Sequence, residues 1–325
     1  MDAGFSEDQT ALRDNVRAVL SAQCPPSVVR EALTDPQRWE PLWKTAVDLG
    51  WTGLARLDDG DGLGAIELII VCEELGAAAA PIPYLSSVGL AAGALHGVPG
   101  FAPEVQSLVD GAVGVLVTDP DVVPDASRAE LFVVLSGDQL SVVSSSAATV
   151  VAAESLDPTR PLGSVQIPAS AQVAVDARAV LALPLAAAAA DLVGLAARIL
   201  EVAVAHVRTR KQFGQPIGAF QAVKHKLADC YVSLERARSL TYAAAMASAD
   251  PESITEARWR ASAMAKAAAS DCAMLAARTG VQVHGAIAQT WEHDMHLYVR
   301  RAWQAAAHLG DSRSLYRAVA MSRAS

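Results

Sequence analysis

The sequence predicts an α+β protein in three parts: a helical N-terminal unit over residues 1–110, a small β-barrel or sandwich over 111–178, and a C-terminal four-helix bundle over 179–325. Three observations predict it. Apolar residues recur at helical spacing in the first part, as at Trp39, Leu42, Trp43, Ala46 and Leu49. Short β-prone runs at 113–117, 131–135, 140–143, 149–151, 163–167 and 172–175 are punctuated by Gly, Ser, Asp and Pro, the spacing of an antiparallel barrel or sandwich. From Ala177 onward, long Ala-rich periodic stretches at 180–209, 220–249, 253–279 and 292–309 are joined by short loops, which favours an antiparallel bundle.

The elements follow in order. Ser6-Glu-Asp-Gln9 has the pattern of a capping box ahead of an amphipathic run through Leu20. Cys24-Pro-Pro breaks that run, and further helical patterns cover 27–33 and 36–49. Gly50-Trp-Thr-Gly53 reads as a turn and 58–64 as a polar, Gly-rich loop. The aspartates of that loop repel anions, so it is expected to be a turn and not a phosphate cradle. An apolar helix over 66–75 carries Glu73 and Glu74, Pro81-Ile-Pro83 closes the section, and a last helix covers 85–95. Further on, Asp250-Pro-Glu-Ser forms a sharp joint with Pro251 placed to begin the next helix, and a short terminal helix starts at Ser312.

Composition excludes several classes. Apolar residues make up 52% of the 325, with alanine prominent and aromatics at 5%, which suits closely packed helices. No apolar run reaches the roughly 18 residues of a membrane span without charges or breaks; residues 177–205 come nearest, interrupted by Arg178, Asp191, Arg198 and Glu201. The acidic stretch Met1 to Asp8 is not expected to act as a signal peptide. Cys24, Cys72, Cys230 and Cys272 lie far apart, as reduced core thiols of a cytoplasmic protein would. The net charge of −9 divides unevenly: residues 1–179 hold 24 acids against 9 bases, residues 180–325 hold 11 against 17. The bases form no runs with interleaved aromatics, so the expected partner is a discrete anion such as a pyrophosphate, not nucleic acid. Basic residues facing an acidic partner subunit would give the same asymmetry.

The most informative stretch runs from Arg208 to Asp229. Basic residues crowd the end of one helix, Gly214 and Pro216 stop it, and Phe220, Val223, Leu227 and Tyr231 restart a helical period. The corner presents Arg208, Arg210 and Lys211 beside Phe213 and Gln221. Guanidinium groups take phosphate oxygens in a bidentate fork, and an aromatic ring supports a flat heterocycle. A helical hairpin whose cations complement a helix carboxyl end has the same pattern.

The run Arg210-Lys-Gln-Phe-Gly-Gln-Pro-Ile217, with Phe220-Gln221 and Leu227-Ala-Asp229, resembles the flavin-contacting corner of acyl-CoA dehydrogenases. Trp43 to Gly50, Asp59 to Gly64 and Glu73-Glu-Leu-Gly76 resemble the N-terminal domain of the same family. Gln282-Val-His-Gly285 resembles its second flavin-binding turn, with Ala286 and Ala288 where the family has glycines. The resemblance implies the acyl-CoA dehydrogenase fold, FAD as cofactor, and Arg210, Phe213, Gln221, Gln282, His284 and Gly285 as its contacts. A purely structural helix C-cap would account for the second turn equally.

Two departures accompany the resemblance. Family members follow Thr-Glu-Pro with a Gly-rich segment and a Trp-containing segment that wrap the flavin ring; here Val117-Thr-Asp-Pro120 leads into Asp121-Val-Val-Pro-Asp-Ala126, and no Trp lies between Trp51 and Trp259. The carboxylate that takes the substrate α-proton occupies one of two family positions, which fall here on Leu309 and Pro184. No catalytic residue is therefore expected in this chain. The nearest carboxylates, Asp311 and Asp191, keep open a homomeric dehydrogenase with a displaced base.

The resemblance implies the short, non-catalytic subunit of an actinobacterial α2β2 dehydrogenase of steroid or cholesterol side-chain breakdown. A full-length partner subunit would supply the Glu, a bulky acyl-CoA would be the substrate, and an electron-transfer flavoprotein-type carrier the acceptor. A flavin-free structural subunit is the third reading. Glu292, His293, Asp294 and His296 suggest a metal, but only Glu292 and His296 are expected on one helix face, too few ligands for a site. His206, His225 and His308 sit singly in helices, as packing or capping residues do.

Overall fold

A computed structural model describes residues 4–56, 64–250 and 252–322. The loop expected at 58–64 lies almost wholly outside the described residues, as does Pro251. The N-terminal unit comprises α1 (Glu7–Gln23), α2 (Pro26–Glu31), α3 (Glu40–Asp48), α4 (Ala65–Ala77), α5 (Leu85–Leu95) and α6 (Ala102–Val109). The Ser6–Gln9 capping box forms in both directions, with N–O distances of 3.1 and 3.0 Å. Sequence patterning missed α6, whose weak apolar stripe buries Leu108.

The β-layer is built from β1 (Gly114–Val117), β2 (Val123–Pro124), β3 (Leu131–Ser136), β4 (Gln139–Ser144), β5 (Thr149–Ala153), β6 (Leu162–Gln166) and β7 (Val173–Ala174). They form two sheets, in the orders β1-β3-β4-β7 and β2-β6-β5. The expectation of a purely antiparallel layer is corrected here: β1 pairs with β3 in parallel, Gly114 opposite Leu131. The chain leaves the first sheet to lay β2 in the second before returning, so the next strand re-enters in the same direction. Val115, Val117 and Phe132 face Val123 and Val165 between the sheets. Val133, Leu135 and Leu140 point the other way, into the main core. Alternation along β3 thus ties the layer to the helices.

The C-terminal unit contains α7 (Ala177–Thr209), α8 (Gln221–Ala249), α9 (Thr255–His284), α10 (Met295–Ala307) and α11 (Ser312–Ser322). Helix α7 is long and apolar enough to cross a membrane, and it runs unbroken through Pro184; 89% of its most apolar window is buried inside the protein, as a core helix would be. Alanine lets backbones approach. A Cβ on Gly76 would lie 2.1 Å from the Asp191 carbonyl oxygen, and one on Gly194 would lie 1.8 Å from that of Glu73. Only glycine permits this contact between α4 and α7. Glu73 then accepts from Arg238 and Tyr242 of α8, while Glu74 pairs with Arg17 of α1. The Glu-Glu-Leu-Gly run is therefore a four-way joint between the N-terminal unit and the bundle.

Candidate functional site

Helix α7 ends with the Arg210 backbone N–H donating a hydrogen bond to the His206 carbonyl. The chain then turns through a two-stranded hairpin, β8 (Lys211–Gln212) paired with β9 (Gln215–Pro216). The tip residues are Phe213 and Gly214, at φ 50° and 82°. Two positive φ values are the signature of a tight hairpin turn. Glycine reaches that region freely, but a phenylalanine there is strained. The Phe213 ring is 91% exposed and meets Phe220 edge-on at 6.1 Å. Gly218 lets the turn close on α7, since a Cβ there would stand 3.0 Å from the Val207 carbonyl oxygen.

Helix α8 starts at Gln221 with no acidic residue in its first turn, so its amide dipoles are unopposed. Arg208, Arg210 and Lys211 are exposed, and none has an ion-pair partner among the described residues. Exposed Gln221 and Phe213 share the corner with them. Here the residues singled out by the sequence stand together as a cationic, aromatic-tipped surface.

The second turn is joined to the first. Helix α9 ends at His284, and Gly285 follows at φ 69° with open space where a Cβ would be. Gln282 and Gly285 are exposed, whereas His284 is buried. Its Nδ1 donates to the Gly280 carbonyl at 2.8 Å, which leaves Nε2 without a partner. The ring stacks on His206 at 4.1 Å and lies 4.7 Å from His293. Burial holds His284 down at about 4, and His206 is lowered by burial and by His293 and Arg210. The rings of His284 and His206 thus stack and pin the end of α9 to the end of α7, with His293 packed beside them. Their stacking was invisible in sequence because the three residues come from separate elements.

The expected pairing of Glu292 and His296 on one helix face is corrected: α10 begins only at Met295, so Glu292 precedes it. His296 instead packs edge-on against Trp291 at 4.8 Å. Among the described residues no group of three His, Cys, Asp or Glu side chains has an arrangement able to hold a metal ion.

Beneath the β-layer lies a cavity of about 790 Å³, walled by Leu156 and Leu162 on one side and by Leu181, Leu185, Trp259 and Leu309 on the other. Leu309 and Gly310 turn at φ 57° and 96°. The turn is held from behind by Lys266, fully buried, whose Nζ donates to Ser270 Oγ at 3.0 Å and to the carbonyls of Ala306 and Gly310 at 3.2 and 3.4 Å. Burial pulls the Lys266 ammonium down to about 8. His308 also lines the cavity; burial, Lys266 and Arg160 hold it near 3, so it is a neutral imidazole.

The two carboxylates nearest the family's base positions are both engaged. Asp191 is 1% exposed and takes both Arg160 guanidinium nitrogens, at 2.9 and 2.5 Å. Asp311 caps α11, accepting from the Ser314 amide at 2.7 Å, and that bond keeps its carboxyl below the usual range. Pro184 is buried against Gly93.

Sequence reasoning also missed the buried ionic joint between the β-layer and the bundle. Arg301 donates to Asp157 at 2.7 Å, to the Ala80 carbonyl at 2.8 Å and to Thr159. Gln304 accepts from Ser155 and the Asp157 amide and donates to the Arg160 carbonyl. Arg128 pairs with Asp125, which accepts from Ser86. Arg301 and Asp157 are 144 residues apart, so no local pattern announces them.

The description acyl-CoA dehydrogenase, C-terminal domain, fits residues 176–322, and acyl-CoA dehydrogenase, N-terminal domain, fits residues 6–106. Acyl-CoA dehydrogenase IpdE2 of Mycobacterium tuberculosis is 34% identical over 324 residues, covering 96% of each chain. A chain of the ChsE4–ChsE5 complex from Mycobacterium tuberculosis superposes with a TM-score of 0.84 at 26% identity, covering 100% of this chain and 99% of that one. A chain of the Tcur3481–Tcur3483 steroid ACAD gives 0.87 at 24%, covering 98% and 99%. The helical layers around a small β-layer, the cationic corner after α7 and an IpdE2 relative that matches from end to end place this chain in the acyl-CoA dehydrogenase family of FAD-dependent oxidoreductases.

Proposed function

We propose that this chain is the short subunit of a heteromeric acyl-CoA dehydrogenase and lends a pyrophosphate grip to FAD seated in a full-length partner subunit. The observation that carries the reading is a contrast within one molecule. The corner is intact, with exposed Arg208, Arg210 and Lys211 lacking ion-pair partners among the described residues. Both family positions for the proton-abstracting carboxylate are apolar, and Asp191 and Asp311 are held by Arg160 and Ser314.

The residues fit the group they would hold. The unopposed amino end of α8 favours an anion, and Arg210 supplies a planar fork for phosphate oxygens. Gln221 adds an amide at that helix start, and Phe213 offers an exposed ring face for a flat heterocycle. Gly285 and Gln282 leave the second turn open to close approach. His284 supports this surface from inside, by holding the two helix ends together. When bound, FAD takes up the hydride that leaves the substrate β-carbon. The partner contributes the carboxylate for the α-proton.

The ChsE4–ChsE5 relative is a complex of two differently named proteins, and the Tcur3481–Tcur3483 relative is a steroid ACAD. The paired names support an assembly of two different subunits, and the second relative's steroid description supports a bulky substrate. To this we add an α2β2 stoichiometry, a steroid-derived acyl-CoA as that substrate and a flavoprotein electron carrier as acceptor. Co-expression with the partner tests the reading. The complex is expected to desaturate the acyl-CoA, and Arg210→Ala in this chain is expected to weaken flavin retention. Loss of one charged hydrogen bond is worth about 1.5–3 kcal/mol, or roughly 10- to 150-fold in affinity. Unchanged flavin content in Arg210→Ala would favour a flavin-free structural subunit instead.

A further inference from the structure

The cavity beneath the β-layer does not fit a flavin dinucleotide. No lysine or arginine is among the residues lining it, and its two charged wall residues, Asp119 and Glu154, are exposed carboxylates that repel a pyrophosphate. Its remaining wall is mainly leucine, with Val122, Pro124, Trp259 and Ala307. A volume of about 790 Å³ lies in the range of sites that enclose a drug-sized molecule.

Two neutral polar side chains on this wall make no side-chain hydrogen bond among the described residues: exposed Thr118 at the rim and the His308 ring deeper in. Gln304 has its oxygen and its nitrogen engaged by Ser155, the Asp157 amide and the Arg160 carbonyl. The His308 ring has no hydrogen bond among the described residues, and it sits where the wall meets the buried Arg160–Asp191 pair. The cationic neighbours Lys266 and Arg160 disfavour a charged ring there, so the imidazole presents one donor and one acceptor.

We propose that this cavity is a binding site of the chain's own for an uncharged, largely apolar molecule of polycyclic size, carrying one hydroxyl or ketone for His308. The ligand is free of coenzyme A and phosphate, because the carboxylates at the wall exclude anions. The binding energy comes from displacing water from the leucine and tryptophan wall, and the imidazole sets which end enters first. The inference rests on the reading that this chain seats no flavin in its own cavity.

The test uses the full chain in its complex, with Nile red as a neutral polycyclic probe bearing a carbonyl and 1-anilinonaphthalene-8-sulfonate as an anionic one. Ala307 is exposed on the cavity wall, so Ala307→Trp fills the space without disturbing packed core. Nile red is expected to bind with an affinity that falls at least tenfold in Ala307→Trp, and His308→Phe is expected to weaken it severalfold. The sulfonate is expected to bind at least tenfold more weakly than Nile red, and Glu154→Lys to narrow that gap. Nile red binding that ignores Ala307→Trp, or a sulfonate that matches Nile red in the unmodified chain, overturns the proposal. Flavin content separates the two readings: it stays constant in Ala307→Trp when the flavin sits in the partner. A fall in flavin content there sinks the heteromer reading itself.

Discussion

Replacing Asp191 by leucine tests what that carboxylate is for. Asp191 is 1% exposed, and both its oxygens are taken by the Arg160 guanidinium at 2.9 and 2.5 Å. Arg160 is itself almost buried, and Asp191 raises its affinity for the proton against the pull of desolvation. Leucine keeps the forked shape of the aspartate side chain, though it is larger, and leaves the guanidinium charged and unpaired. Breaking a buried pair from one side costs about 3–5 kcal/mol, a large part of the 5–15 kcal/mol that holds a typical domain together. The double replacement Asp191→Leu with Arg160→Met removes both charges and should regain most of the loss. Urea denaturation of the four proteins, read by far-ultraviolet circular dichroism, closes the cycle. A single-variant cost below about 1 kcal/mol, or a double variant no better than the sum of the singles, would refute a structural role. A folded, fully stable Asp191→Leu complex without turnover would make Asp191 the base.

Three further outcomes follow from the geometry. Phe213→Gly relieves a strained φ at an exposed tip, so it should stabilise the chain by roughly 1 kcal/mol while lowering flavin retention by the complex; a variant that gains neither stability nor loses flavin contradicts the assignment. Asp311→Ala removes the cap of α11 and should lower the melting temperature with turnover unchanged; lost turnover would revive the displaced base. His284 is held at about 4 in the folded chain against 6.5 when free, so the unfolded state binds more protons between those values. Stability should therefore fall as pH drops from 6.5 toward 4. His284→Phe should flatten that part of the pH–stability curve, and an unchanged slope would count against a neutral His284 ring.

The helical parts were legible because their signals are local. The Ser6 box, the period of α3 and α4, and the Gly214–Pro216 break each lie within a few residues of the structure they specify. The corner was legible for the same reason: Arg210, Phe213 and Gln221 are near in sequence and near in space. The start of α10 was placed three residues early because His293 and Asp294 carry no breaker, yet His293 Nδ1 accepts the Met295 amide and fixes the boundary there. The parallel pairing of β1 with β3 depends on where the chain goes in between, which alternation does not encode. The Arg301–Asp157 and Arg160–Asp191 pairs join distant segments, and a single sequence gives a buried arginine no mark to distinguish it from an exposed one. His284 looked like a surface contact by motif, but its position beside His206 turned the ring inward.

Quantifying flavin against polypeptide in the purified co-expressed complex bears most directly on the central claim. One FAD for each pair of dissimilar chains, and none in this chain purified by itself, is the predicted result. One FAD for every chain, or a flavin retained by this chain without its partner, would contradict it.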